Sequence, residues 1–355
     1  MFGKMQANSS KSGFNFVAPP PTAAPAPATF NIFGAAAEEK DPSTESTNNS
    51  SAEKQNKPLF VLSSSQPKLI RQWRNMEWSA EKRTSLMETV SSYRSSCEDV
   101  TRARVLLLGP VGSGKSSFIS SVQSVFKGRV VNQAMVGSYS TSFTKKLQSF
   151  NIRGQKGGDP TGLVLCDIMG VGDGEVPGLS LHDILSVIKG HVSEGHKFSL
   201  DQPVSSETAG YVKRPSLKDK IHCVVFVVDA SKILTYPKGL KTTIQQLREH
   251  ISNLGVHQVA LLTHVDKICE ETAKDSSSVY RSRVVQNMMG KAGALLGMST
   301  SYIIPVKNYS AELDLDDNTD VLLLSAVDHI LQYVDLYFQN NAPQHTGMTK
   351  TDWDV

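Results

Sequence analysis

Arg104-Val-Leu-Leu-Leu-Gly-Pro-Val-Gly-Ser-Gly-Lys-Ser-Ser117 runs from an apolar, strand-like stretch into a glycine-rich turn. Gly109, Gly114, Lys115 and Ser116 fit the spacing G-x-x-x-x-G-K-[ST]. In that pattern backbone N–H groups cradle phosphates, the Lys reaches the β/γ-phosphates and the hydroxyl ligates Mg²⁺. Gly109, Gly112 and Gly114 permit close backbone approach and positive φ, and Pro110 stiffens the turn where no N–H need be donated. Residues 114–126 predict a helix that offers its positive end to the phosphates. A strand leading in and a helix leading out supply the context the motif requires. Ser113 and Ser117 lie inside the same loop and helix start and join the nucleotide-binding set.

Outward from the loop, strand and helix patterns alternate, which predicts a P-loop α/β fold, a mostly parallel sheet with helices on both faces. Residues 143–152 alternate like an edge strand, and 163–166, 221–228 and 259–262 read as buried strands. Leu240, Ile244, Leu247 and Ile251 recur at helical spacing; 279–296 and 321–338 read as further helices, with a last strand at 302–306. The order is that of a small-GTPase-like domain, interrupted by an insertion at about 172–220. Residues 1–57, rich in Pro, Ala, Ser and Asn, predict a disordered tail. Residues 58–100 form a helical lead-in, with Trp73 and Trp78 anchoring a helix at 79–93. The GTPase-like domain is expected over 101–339 and a flexible tail over 340–355.

Composition narrows the function classes. The chain has 355 residues, 39% of them hydrophobic, a net charge of +3 and no dominant basic block, so charge points to neither nucleic acid nor a membrane surface. Cys97, Cys166, Cys223 and Cys269 are scattered without Cys-x-x-Cys spacing and read as reduced core or surface thiols. No basic-then-apolar leader and no run of about eighteen apolar residues occurs, so no transmembrane segment is expected and the chain is expected to be cytoplasmic or nuclear.

Ligands of open α/β sheets sit outside the carboxyl ends of the strands. Asp167-Ile-Met-Gly170 follows a buried strand there, giving a carboxylate for the Mg²⁺ shell and a glycine N–H for the γ-phosphate. Thr263-His-Val-Asp266 follows another and resembles the [NT]-K-x-D guanine motif of GTPases. Asp266 would accept both N–H groups on guanine's edge, and His264 stands in place of the usual Lys. Ser140, Thr141 and Thr144 precede the second strand; Thr144 has the best spacing to Asp167 and joins Ser116 and Asp167 as a metal candidate. The cofactors expected are therefore GTP or GDP with Mg²⁺.

Together with residues 109–117, the stretches Asp167-Ile-Met-Gly170, His191-Val192 with Lys197-Phe198, Lys220-Ile-His-Cys-Val-Val225, Thr263-His-Val-Asp266 and Ile304-Pro-Val-Lys-Asn-Tyr309 resemble the interferon-induced protein 44 and 44-like family over residues 73–338. The resemblance implies an interferon-inducible, cytoplasmic, GTPase-like protein of antiviral defence. It implies nothing for the tail before residue 59.

Catalytic residues are not identified by the sequence. Val171 occupies the place where Ras-like proteins carry the Gln that orients the attacking water. Hydrolysis is then slow, or a group elsewhere or a partner supplies the function; His182, His191 and His196 in the insertion are the internal options, each also readable as an ordinary surface or helix histidine. Two classes of function remain: a guanine-nucleotide switch or slow GTPase, and an interaction scaffold that kept the fold without productive hydrolysis. An ATPase is a weaker third. The partners expected are an unidentified protein or, through nucleotide-dependent self-association, a second copy of the chain, and no nucleic acid.

Overall fold

The computed structural model describes residues 68–131, 145–154, 159–172 and 178–341. All described residues belong to one compact unit. Residues 1–57 and 342–355 of the expected tails, and Ser140, Thr141 and Thr144, lie outside the described residues; residues 340–341, expected in the C-terminal tail, instead end the last helix.

In chain order the elements are α1 (Ala80–Ser92), β1 (Ala103–Leu108), α2 (Lys115–Lys127), β2 (Gln148–Arg153), β3 (Pro160–Asp167), α3 (Leu181–Ile188), β4 (Cys223–Asp229), α4 (Lys238–Asn253), β5 (His257–Thr263), α5 (Val265–Ile268), α6 (Glu270–Lys274), α7 (Arg283–Leu296), β6 (Ile303–Pro305) and α8 (Asp317–Asn341). Among the described residues six strands form one sheet in the order β2-β3-β1-β4-β5-β6. Of these six, only β2 runs antiparallel, against β3; the other strand pairs are parallel. This is the P-loop, small-GTPase-like architecture the sequence predicts. The central strands are apolar along their whole length because helices cover both faces of the sheet. Every residue of β4 is buried, and so are Val105, Leu106, Leu107 and Leu108 of β1. One group of touching helices comprises α1, α2 and α8, and another α3, α4 and α7.

Among the described residues α8 is the one helix long and apolar enough in composition to cross a membrane. Its apolar side chains are instead largely inside the fold, against α1, α2, β4 and β5. Val321, Leu322, Val327, Val334 and Phe338 are all fully buried, each contributing about 1.5–3 kcal/mol relative to exposure. The four cysteines are buried and unpaired.

The lead-in packs through its tryptophans. Trp73 meets Tyr280 edge-on with ring centroids 5.0 Å apart, and Trp78 lies 6.1 Å from the same ring. Ser79 caps α1, its hydroxyl accepting from Lys82 N at 3.1 Å.

One helix start departs from the sequence reading. Periodicity begins a helix at 279, whereas Ser276–Arg281 form a 3₁₀ turn and α7 begins only at Arg283. Ser282, extended at φ −84° and ψ 118°, accepts from Val285 N and resets the chain. Tyr280 is buried where the lead-in tryptophans pack on it, and together with the buried Val279 it mimics a helical stripe.

The described part of the insertion, from residue 178 onward, contacts the sheet edge. Leu147 N donates to His196 O at 2.9 Å and Phe198 N to Lys145 O at 3.0 Å, a short antiparallel ladder just before β2. Glu194 accepts from Ser149 N at 2.7 Å, which covers part of the exposed edge. Asp183 in α3 accepts from Val204 N at 2.7 Å and pins the loop that follows. His191 stacks on Tyr211 and bonds Val212 O, His196 packs on Phe198, and His182 is exposed.

Candidate phosphate-binding site

The loop between β1 and α2 folds as its glycines require. Gly112 and Gly114 take φ of +75° and +93°, where a β-carbon is strained. Gly109 is needed for another reason: a β-carbon there would lie 2.1 Å from Val227 O of β4. Lys115 opens α2 and its side chain curls back, with Nζ donating to Gly109 O and Pro110 O at 3.0 Å each. The ammonium is buried, and among the described residues it makes no ion pair. Burial pushes its pKa down, while the Asp167 carboxylate pulls it up. The nearest partners of this buried cation are two carbonyls, with the Asp167 carboxylate acting on it without an ion-pair contact, and an anion entering the loop would balance it further.

Asp167 closes β3 beside this loop. Ser116 Oγ donates to Asp167 Oδ2 at 2.5 Å, bringing together two of the three oxygen donors proposed for a cation. No group of three or more His, Cys, Asp or Glu among the described residues could hold a metal alone. A hard cation at Ser116 and Asp167 would therefore take its other oxygens from phosphate and water, as Mg²⁺ commonly does. Gly170 lies so close that a β-carbon would stand 2.9 Å from Val111 N. Val171 N donates to Gly109 O at 3.0 Å, and the Val171 side chain is 2% exposed. The residue in the water-orienting position is thus packed into the domain and fixed to the loop.

A third group converges from the ends of β4, β5 and β6. Thr263 is fully buried, its hydroxyl 2.7 Å from Ser113 O and 3.0 Å from Val228 O. It ties β5 to the phosphate loop. His264 follows at φ +56°, the one non-glycine residue with positive φ among the described residues. Such a backbone costs about 1–2 kcal/mol and persists where neighbours fix it. Here the ring Nδ1 lies 3.3 Å from Asp229 Oδ2 and 3.1 Å from Thr263 Oγ1. Burial lowers the His264 pKa and Asp229 raises it. Asp266 sits half-buried in the first turn of α5. Ser117 is half-buried in the first turn of α2, and its carbonyl accepts from Ser121 Oγ at 2.8 Å.

Two residues here escape sequence reasoning. Asp229, 1% exposed, holds Ser231 N and Oγ through Oδ1 while Oδ2 faces His264. Asn308, after β6, donates from Nδ2 to Gly114 O at 3.2 Å. The signal for both was their place at the end of an apolar strand, the same signal that selects Asp167.

The sheet order, the phosphate loop and the carboxylate beside its serine define a P-loop domain with a GTPase-like fold. No family model matches the chain. It is 36% identical over 268 residues to interferon-induced protein 44-like of Homo sapiens, covering 75% of this chain and 59% of that protein. It is 37% identical over 260 residues to interferon-induced protein 44 of Homo sapiens (73% and 58%) and 34% over 248 residues to that of Mus musculus (70% and 58%). The chain is a homologue of the interferon-induced protein 44 and 44-like proteins, and it spans just under three fifths of their length. Among solved structures it is similar to Toc33 from Arabidopsis thaliana in complex with GDP and Mg²⁺, at 16% identity and a TM-score of 0.38, covering 72% of this chain and 90% of that one. It is also similar to an Era variant from Aquifex aeolicus bound to GDP·AlF₄⁻, at 11% identity and a TM-score of 0.31, covering 66% and 56%. These remote likenesses add no weight to the fold, which rests on its own topology.

Proposed function

We propose that this chain binds a guanine nucleotide with Mg²⁺ and works as a slow GTPase or nucleotide switch in an interferon-induced, antiviral response in the cytoplasm. The observation that carries the binding proposal is the buried Lys115 ammonium, held on Gly109 and Pro110 carbonyls beside the Ser116–Asp167 pair. Phosphates would lie against the loop N–H groups and the Lys115 ammonium, and Ser116, Asp167 and Thr144 would hold the cation. Mg²⁺, when bound, draws off charge from the phosphate oxygens. Asp266 selects guanine because a carboxylate accepts both N–H groups of that base edge. The insertion, tied to the segment before β2, supports an output surface for a protein partner or a second copy.

A scaffold without productive hydrolysis is the second reading, favoured by one observation: Val171 is buried and bonded to the loop, so nothing at that position orients water. Nucleotide extracted from the purified protein, identified by chromatography, separates the classes. Guanine nucleotide is expected, and a nucleotide-free protein that takes up neither GTP nor GDP favours the scaffold. Asp266→Asn tests the base assignment: it should weaken GTP and favour XTP, whose carbonyl suits an amide donor. An unchanged order of GTP, ATP and XTP in competition binding would remove Asp266 from the site.

A further inference from the structure

A chain of polar contacts runs from the lead-in helix to the phosphate loop. Arg83 on α1 donates from Nε to Asp320 Oδ2 of α8 at 2.8 Å, and its Nη2 lies 2.6 Å from the same oxygen. Asp320 has no exposed side-chain surface, so its charge is stabilised by these partners rather than by water. Its other oxygen accepts from Tyr309 OH at 2.7 Å, and that hydroxyl also accepts from Asp316 N at 2.8 Å. Tyr309 N donates to Ser121 Oγ on α2 at 2.9 Å. The tyrosine is thereby fixed at both ends. The residue before it is Asn308, whose amide bonds Gly114 O at the start of α2.

Gly114 is where the loops meet. A β-carbon there would stand 3.0 Å from Asn308 Nδ2 and 3.3 Å from Thr263 Cγ2. Thr263 ties β5 to the carbonyl of Ser113, and Asn308 ties the chain after β6 to the next carbonyl. Threonine has one short arm and cannot reach both. Asn308 Oδ1 is buried without a hydrogen-bond partner among the described residues, which costs free energy unless the amide's place serves something else.

We propose that Asn308 is a positioning residue of the nucleotide site, and that Arg83, Asp320 and Tyr309 form the strut that holds it there. The lead-in helix is then a working part of the site rather than an attachment to it. This rests on the nucleotide-binding reading given above. The strut acts by keeping the end of β6 against Gly114, so that the phosphate loop and the loops after β5 and β6 remain in one arrangement while nucleotide is bound. Its loss should appear first in how fast nucleotide leaves, because affinity changes at a formed site fall mostly on dissociation.

The test uses the full chain and N-methylanthraniloyl-GDP with Mg²⁺, measuring dissociation by stopped-flow fluorescence. Asn308→Ala and Tyr309→Phe should each speed release about five- to tenfold, the loss expected from one or two hydrogen bonds. Arg83→Met should do the same, and Arg83→Lys, which keeps a charged donor, should recover most of the slow release. The combination of Arg83→Met with Asn308→Ala should be no faster than the quicker single variant, since residues of one network are not additive. Release rates within twofold of the parent for Asn308→Ala and Tyr309→Phe overturn the proposal, and so does fast release by Arg83→Lys equal to that of Arg83→Met. A purely structural role would lower the melting temperature of the nucleotide-free variants without changing release, and that result also overturns it. A parent that binds no GDP overturns the nucleotide reading and this inference together, whereas a parent that binds while its variants match it overturns this inference alone.

Discussion

Replacing Gly109 by alanine puts the strand-to-loop junction under a load the structure defines. The added β-carbon would lie 2.1 Å from Val227 O and 2.9 Å from Ser113 Oγ. Ordinary close carbon–oxygen contacts begin at about 3.3 Å, so a backbone atom must move by about 1 Å. Val227 cannot easily give way: it is fully buried in β4 and paired with Leu261 of β5. The loop must move instead, taking with it the carbonyls that hold Lys115. Overpacking of this kind costs about 3 kcal/mol, which for a domain this size lowers the melting temperature by about 5–10 °C. Gly112→Ala is the control. Its nearest neighbour would be Lys232 Nζ at 3.6 Å, so it pays only for φ of +75°, about 1–2 kcal/mol. Differential scanning calorimetry of nucleotide-free protein compares the two. If Gly109→Ala melts within about a degree of the parent, or loses less than Gly112→Ala, the close approach of loop and β4 described here is wrong.

Stability should also fall in mild acid. His222 is buried, with Nδ1 accepting from Arg104 N and Nε2 facing Leu217 O, both at 2.9 Å, and burial pushes its pKa down to about 4. The unfolded chain takes up that proton near pH 6.5 and the folded one does not, so stability is complete above about pH 6.5 and is lost as pH falls towards 4. The loss between pH 7 and pH 5 is about 2 kcal/mol, read by urea titration as parent minus His222→Phe; equal slopes in the two proteins would contradict it. With Val171 in the water-orienting position, single-turnover phosphate release should run at or below about 10⁻⁴ s⁻¹, and release near one per second would require a catalytic group not described above.

The phosphate loop was legible because its chemistry is local: a few consecutive residues set the turn, the cradle and the charge. Asp167 was legible for a related reason, since an apolar strand ending in a carboxylate marks the sheet edge where ligands sit. Thr263 was recognised by position, yet its buried hydroxyl bonds the carbonyl of Ser113, a contact fixed by the register of β5 against β4 and invisible in the sequence. Asn308 lies in a stretch that carries the family resemblance, but no role for it could be read until the sheet order brought it to Gly114. The misplaced start of α7 has the same origin, because Tyr280 packs against residues some 200 positions earlier in the chain, Trp73 and Trp78. The unusual backbone of His264 likewise follows from Asp229 and Thr263 around it, and nothing in its immediate sequence requires it.

Lys115→Ala tests the nucleotide site most directly. Removing the buried ammonium loses its two hydrogen bonds to Gly109 O and Pro110 O but also relieves a desolvated charge, so the variant should fold with a melting temperature close to that of the parent. Isothermal titration calorimetry with GTP and Mg²⁺ should show binding by the parent and none by the variant. Equal affinity in the two proteins would mean that the loop of residues 109–117 does not hold the phosphates, and the proposed function would fall with it.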